Sequence, residues 1–258
     1  MKKTLIALAV TVSAAASGSA MAWTPNGLGG SVELGGTLTP AAIVTPWEVY
    51  VGAAVNNLNA NIKKGRSFAD VAVSQAIPIL GIRTINNKAF AGAEDCTPII
   101  DYSGAVNLDG FVNGVTTLTL DIKDSSGKKI GTMTAPFSAA GVISWKNESN
   151  NGRATGLWAA DGSMFYGGLA KSQEKSSSQS ELLAKSIISD IADHFDSQGY
   201  DISGASWSGT PMPGATYSGY YAGGITAGSS IKITLDTAVT GDDSINWKAS
   251  LPVTVSYQ

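Results

Sequence analysis

Ser31-Val32-Glu33-Leu34-Gly35-Gly36-Thr37-Leu38-Thr39 is the stretch on which the fold turns. Val32, Leu34 and Leu38 fall two or four residues apart, with Gly36 at the missing step. A period of two puts them on one face of a strand. The stretch lies near the N-terminus, behind a short turn-rich leader from Trp23 to Gly30. A terminal strand is free to leave its own domain. We read this one as leaving, and as completing the sheet of a neighbouring copy.

The residues before the leader have the form of a secretory signal peptide. Lys2 and Lys3 make a charged n-region, Leu5 to Val12 a short apolar run, and Ala20-Met21-Ala22 an A-x-A cleavage site. The expected organisation is a signal at 1–22, an extension at 23–45 holding the strand 31–39, and a domain at 46–258. The apolar run of the signal is too short to span a bilayer. No later stretch approaches the roughly 18 uninterrupted apolar residues of a transmembrane helix.

Without the signal, roughly 236 residues remain, enough for one large β domain or a domain with an insertion. Acids outnumber bases and leave a net charge near −5, which argues against a nucleic-acid partner. Gly, Ser, Thr and Ala are plentiful and charges sparse, as suits a β-rich extracellular chain with many turns. Cys96 is the single cysteine. It has no internal disulfide partner, and its ordinary role is that of a small buried apolar residue.

Further along, Trp47, Val49 and Val51 alternate on the first strand of the domain, and residues 52–70 are mixed and polar. Val71, Val73 and Ile77 to Ile82 follow, with Pro78 marking an edge strand or a bend. Ile99 to Tyr102 reads as a short strand. Leu118, Leu120 and Ile122 alternate into a turn at Asp124-Ser125-Ser126-Gly127, and Lys128 to Pro136 returns as a hairpin. Residues 141–215 differ in character and read as an insertion. Ser178-x-x-Glu181 resembles a capping box. Leu183, Ile187, Ile191 and Phe195 make a helical stripe that Gly199 ends. The chain closes on a strand through Ile231, Ile233 and Leu235, then on one long one-sided run from Trp247 to Tyr257. Short strands at fairly regular spacing indicate an all-β sandwich.

Catalytic signals are weak. His194 is the single histidine and the one candidate base for a Ser–His–Asp triad; its ordinary place is a helix boundary. No cluster has metal-ligand spacing, and no phosphate-binding loop or dinucleotide fingerprint occurs. Neither a metal nor a cofactor is expected. No two carboxylates stand out as a glycosidase pair. A sugar site fits better, because sugars take aromatic faces for their C–H groups and polar side chains for their hydroxyls. Residues 141–215 supply Trp145, Arg153, Trp158, Lys171 and Trp207 as candidates. Against this, Trp and Tyr more often pack an insertion onto its sandwich. Asn147-Glu148-Ser149 is a glycosylation sequon by pattern alone.

Several pieces together resemble a known family: the signal M-K-K-T-L-I-A-L-A, the strand Gly30–Thr39, Pro46-Trp47-Glu48-Val49, Phe165-Tyr166-Gly167-Gly168, and the close from Trp247 to Tyr257. The chain resembles the FaeG/ClpG-type major fimbrial subunits of enterobacteria, assembled by the chaperone–usher route. The resemblance implies an incomplete immunoglobulin-like sandwich completed by donor-strand exchange, with a helix-containing insertion. It maps Val32, Leu34, Gly36 and Leu38 onto the donor face, with Gly36 where the acceptor groove is shallow. It maps Leu251, Val253, Val255 and Tyr257 onto the strand that a periplasmic chaperone grips, with an outer-membrane usher as a further partner. It also implies adhesion to host glycoconjugates through the insertion, and export through the periplasm to the cell surface.

The expected function is therefore that of a structural and adhesive subunit of a surface fimbria, not an enzyme. A stand-alone secreted lectin or glycosidase is the alternative; it would fold as a monomer without residues 31–39. A small outer-membrane barrel fits the signal and the glycines, but the alternating runs are short and the helix has no place in a lipid-facing wall.

Overall fold

The computed structural model describes residues 34–38 and 44–258. The signal, the leader and Val32 lie outside the described residues. Leu34 to Leu38 form no strand within the single chain, and Leu34 and Leu38 are 93% and 98% exposed.

The domain is all-β, with one short helix. Its strands are β1 (Trp47–Val51), β2 (Phe68–Ala72), β3 (Ile77–Thr84), β4 (Phe90–Ala91), β5 (Pro98–Asp101), β6 (Val115–Lys123), β7 (Lys129–Asn147) and β8 (Gly152–Trp158). The helix α1 (Ser180–Ile187) precedes β9 (Ile202–Trp207), β10 (Ala215–Ile225), β11 (Ser230–Leu235), β12 (Lys248–Ala249) and β13 (Thr254–Tyr257). The main sheet runs β1-β3-β10-β7-β11-β2, while β13 pairs only with β5. β7 holds the sandwich together. Its first half pairs with β6 and β11, and its second half with β10 and β8. A strand that changes neighbours midway carries one sheet around a corner, as the immunoglobulin-like architecture requires.

The β6–β7 hairpin forms where the alternation places it. Its turn is set by Asp124, whose carboxylate accepts from the Ser126 hydroxyl at 2.6 Å and from the backbone N–H groups of Ser126 and Lys128 at 2.9 and 3.0 Å. Those bonds, the Ser126 hydroxyl foremost, hold the carboxyl below its usual range. Pro78 marks a bend rather than an edge. β3 is flanked by β1 and β10, and the β10 register slips between Gly223 and Gly224, opposite Pro78.

Five details depart from the sequence expectations. Ser178 does not cap the helix: Gln179 is the N-cap, and the Ser178 N–H donates to Asn113 Oδ1 at 3.2 Å. The helix stops at Ile187, well short of Gly199, and sheet side chains take carbonyls of the segment that follows it. Arg83 donates to Asp190 O at 2.6 Å, Thr84 to His194 O at 3.0 Å and Ser144 to Asp196 O at 2.5 Å. The apolar stripe nonetheless packs: Ile187 and Ile191 are buried, and Phe195 meets Tyr220 edge-on at 5.3 Å. The run Trp247–Tyr257 is two strands, not one, with the donor-less Pro252 in the gap. Of the β1 face, Trp47 is buried while Val49 and Val51 are 42% and 65% exposed, because nothing among the described residues covers that end. Residues 141–147 also lie inside β7, so the sheet runs unbroken through the start of the expected insertion.

The core centres on aromatics. The Trp47 indole N–H donates to Cys96 O at 2.7 Å, and Cys96 itself is buried, which pushes its thiol pKa up. Phe165 lies between Trp47 and Tyr221, each at 5.6 Å. It holds a φ of 60°, rare for a bulky residue, and is fixed there by that packing and by its N–H to Pro98 O at 2.7 Å. The Tyr102 and Tyr221 hydroxyls share a 2.8 Å hydrogen bond, and the Tyr221 O–H also lies 3.3 Å from Gly168 O. Burial raises both phenol pKa values. Gly167 has a φ of 84°, and a Cβ there would stand 1.8 Å from Ile100 O. Gly167→Ala is expected to destabilise the domain by on the order of 3 kcal/mol, from the left-handed backbone and the clash together, in denaturant unfolding. Tyr221→Phe, which strips a hydrogen bond from buried Tyr102, is expected to cost about 1–3 kcal/mol in the same measurement.

Candidate functional site

The last strand region is unlike the rest of the sandwich. From Trp247 to Gln258, half-buried and exposed residues alternate without a break. Trp247, Ala249, Leu251, Val253, Val255 and Tyr257 face the core and pack on it. Yet none is fully buried, whereas core-facing residues of β6 and β7 such as Leu118, Ile122 and Phe137 are at most 1% exposed. This face has a floor but lacks a neighbour on one side.

The backbone shows which side is open. Gln258 and Thr97 exchange both of their N–H···O bonds, so Gln258 points its main chain toward β5. Alternate residues of a strand present these groups to opposite edges. Val255 and Tyr257 therefore present theirs to the other edge, where no strand pairs among the described residues.

Residues 53–62 join β1 to the contacts that Lys64 and Gly65 make with the segment before Trp247. The chain leaves β1 at Gly52, whose missing Cβ lets the backbone pass Pro78 O; a Cβ there would lie 1.9 Å away. Residues 53–62 then form no strand. Their one backbone hydrogen bond among the described residues is local, from Asn59 N to Asn57 O. Leu58 and Ile62 are half-buried, and Leu58 packs on the main core.

Contacts from Thr45 and from Lys64 and Gly65 bracket the closing segment. At one end the Thr45 hydroxyl lies against the Tyr257 phenol, whose pKa is raised by burial, with Thr45 opposing. At the other, Lys64 pairs with Asp242 and the Gly65 N–H donates to Val239 O at 2.7 Å. Between these contacts the last strand region offers a half-covered apolar face and, among the described residues, an edge with no strand paired to it. Chemically it offers hydrogen bonds to an extended backbone and a surface for every second side chain.

The sequence picked out the face of Leu251, Val253, Val255 and Tyr257 and passed over residues 53–62. Leu58 and Ile62 share an alternate register with Ala54, Asn56 and Ala60, and the polar Asn56 hides that weak period.

The structure divides the five sugar-site candidates. Trp145 and Arg153 are cross-strand partners of β7 and β8, and Arg153 reaches Ser206 Oγ at 3.5 Å. Trp158 and Trp207 are partners of β8 and β9, with Trp207 56% exposed. Arg153 and Trp158 are five residues apart on one strand, hence on opposite faces. Lys171 stands apart, bound to Asp109 at 2.8 Å, a contact that lowers the Asp109 pKa and raises its own. His194 lies beyond the helix, its Nδ1 at 3.1 Å from both Thr84 O and Glu48 Oε1. Glu48 is also held by Arg83 Nε at 2.6 Å. These contacts clasp the segment after α1 onto the edge of the sheet. No group of residues suited to a metal ion occurs among the described residues.

A family described as fimbrial, major and minor subunit, matches residues 1–258. The chain is similar to three Escherichia coli proteins over the whole of both chains: K88 fimbrial protein AC at 34% identity, K88 fimbrial protein AB at 33% and K88 fimbrial protein AD at 32%. With an all-β immunoglobulin-like domain and a match that leaves no part of the chain uncovered, this protein belongs to the K88-type family of fimbrial subunits, structural proteins that polymerise into surface fimbriae.

Proposed function

We propose that this subunit polymerises by donor-strand complementation, with residues 31–39 of a neighbouring copy filling the groove beside the last strand. One observation carries the proposal: an unpaired edge at Val255 and Tyr257, set beside an apolar face that is only half covered. An extended segment of alternating pattern meets both needs at once. Val32, Leu34 and Leu38 would face the floor, and Gly36 would lie where the groove is shallow. Each aliphatic side chain buried contributes roughly 1.5–3 kcal/mol. Each ladder bond adds about 0.5–1.5 kcal/mol.

The same groove explains the other partners expected. Before assembly, a periplasmic chaperone would cover Leu251, Val253, Val255 and Tyr257, and an outer-membrane usher would exchange it for the next subunit. The signal-like segment 1–22 fits that route to the surface. The role is structural rather than enzymatic, with no cofactor. Adhesion is the second part of the proposal. β9 pairs only with β8, and it carries Trp207 exposed beside Trp158, an aromatic pair suited to stacking on a sugar ring.

Leu34→Lys is expected to abolish fibre growth while the thermal unfolding of the domain stays unchanged, since Leu34 is exposed in the single chain. Electron microscopy showing fibres of normal length in that variant would sink the donor-strand proposal. In a glycan-array assay, Trp207→Ala is expected to lower any host-glycan binding at least about tenfold, the loss of one stacking contact of 1–2 kcal/mol. Unchanged binding would remove Trp207 from the adhesive surface.

A further inference from the structure

The segment joining the donor strand to the domain is Pro40-Ala41-Ala42-Ile43-Val44-Thr45-Pro46. It carries no charge, and Val44 is 91% exposed in the single chain. An aliphatic pair between two prolines, with Val44 exposed, is unusual for a mere tether. Seven residues also reach at most about 25 Å. In a fibre built by donor strands, each domain must therefore stand at the mouth of the groove from which its own strand leaves.

The ladder decides which mouth. Antiparallel pairing is the more stable per residue, and all strand pairs here except β8–β9 are antiparallel. A donor antiparallel to residues 247–257 leaves at the Trp247 end. At that end a cleft of about 480 Å³ opens, with Ile130, Leu235, Val239 and Ile245 among its apolar lining and Lys128 and Asp243 on its rim. Ile245 is 42% exposed, two residues before Trp247. The Gly65 bond to Val239 joins the cleft to the segment that follows residues 53–62.

We propose that in the fibre this cleft receives the linker of the next copy, with Ile43 and Val44 seated against Ile245 and the apolar lining. The inference rests on the donor-strand proposal above and adds a second apolar anchor to each joint. The linker then serves as part of the interface, and the prolines at its two ends restrict how it leaves the groove.

The test is a cross-link in assembled fibres of the full chain. Val44→Cys combined with Ile245→Cys, treated with a short bis-maleimide, is expected to give a ladder of covalent oligomers, while each single variant gives none. Buried Cys96 is common to all of them. The pair Val44→Cys and Asp95→Cys probes the Gln258 end of the groove. A ladder from that pair, or none from 44 and 245 in fibres that assemble normally, overturns the inference. If the double variant does not assemble, Val44→Asp supplies the reading. Its fibres are expected to fall apart about tenfold faster in denaturant, the change due to one lost aliphatic contact; an unchanged rate overturns the inference. Failure of the donor-strand proposal is seen separately, as normal fibres from Leu34→Lys.

Discussion

An edge of a sheet that is left unpaired beside a half-covered apolar face is the constraint around which this molecule is arranged. Backbone N–H and C=O groups are obligatory hydrogen-bonding groups, and a strand that faces the core has little water to satisfy them. Val255 and Tyr257 have β5 on one side and, among the described residues, no strand on the other. The floor beneath them is apolar and partly open. Polar and apolar demands therefore coincide along one line, and a segment of period two meets both.

The rest of the fold keeps that line open. Contacts bracket that line at both ends. Thr45 meets Tyr257 at one end, and Lys64 and Gly65 meet Asp242 and Val239 at the other. Behind that line, β7 carries the sheet around its corner, and the Trp47–Phe165–Tyr221 stack makes a rigid support. The segment after β8 is clasped to the outer face by Arg83, Thr84 and Ser144, which leaves Trp207 outward on β9.

Strands declared themselves wherever alternation was strong. β6, β11 and the start of β7 lie where their aliphatic residues recur every second position, and Asp124 turns the hairpin as its type predicts. Local patterns failed where a distant side chain competed. The Ser178 capping box lost to Asn113, and the carbonyls of Asp190 and His194, past the helix end, bond Arg83 and Thr84. Those partners are some 65 to 110 residues away in the chain, and no local window contains them.

From the sequence alone came the all-β class, the hairpin, the apolar stripe after residue 180, and the face from Leu251 to Tyr257. Each depends on a short period that the chain carries within itself. Tertiary structure alone decided that the closing run breaks at Pro252 into strands of two sheets, and that residues 53–62 form no strand. It alone separated Trp145 and Arg153 from Trp158 and Trp207. Periodicity tells which residues share a face, but not what lies across from that face. That is settled by long-range pairing, and here the missing pair is what makes the groove.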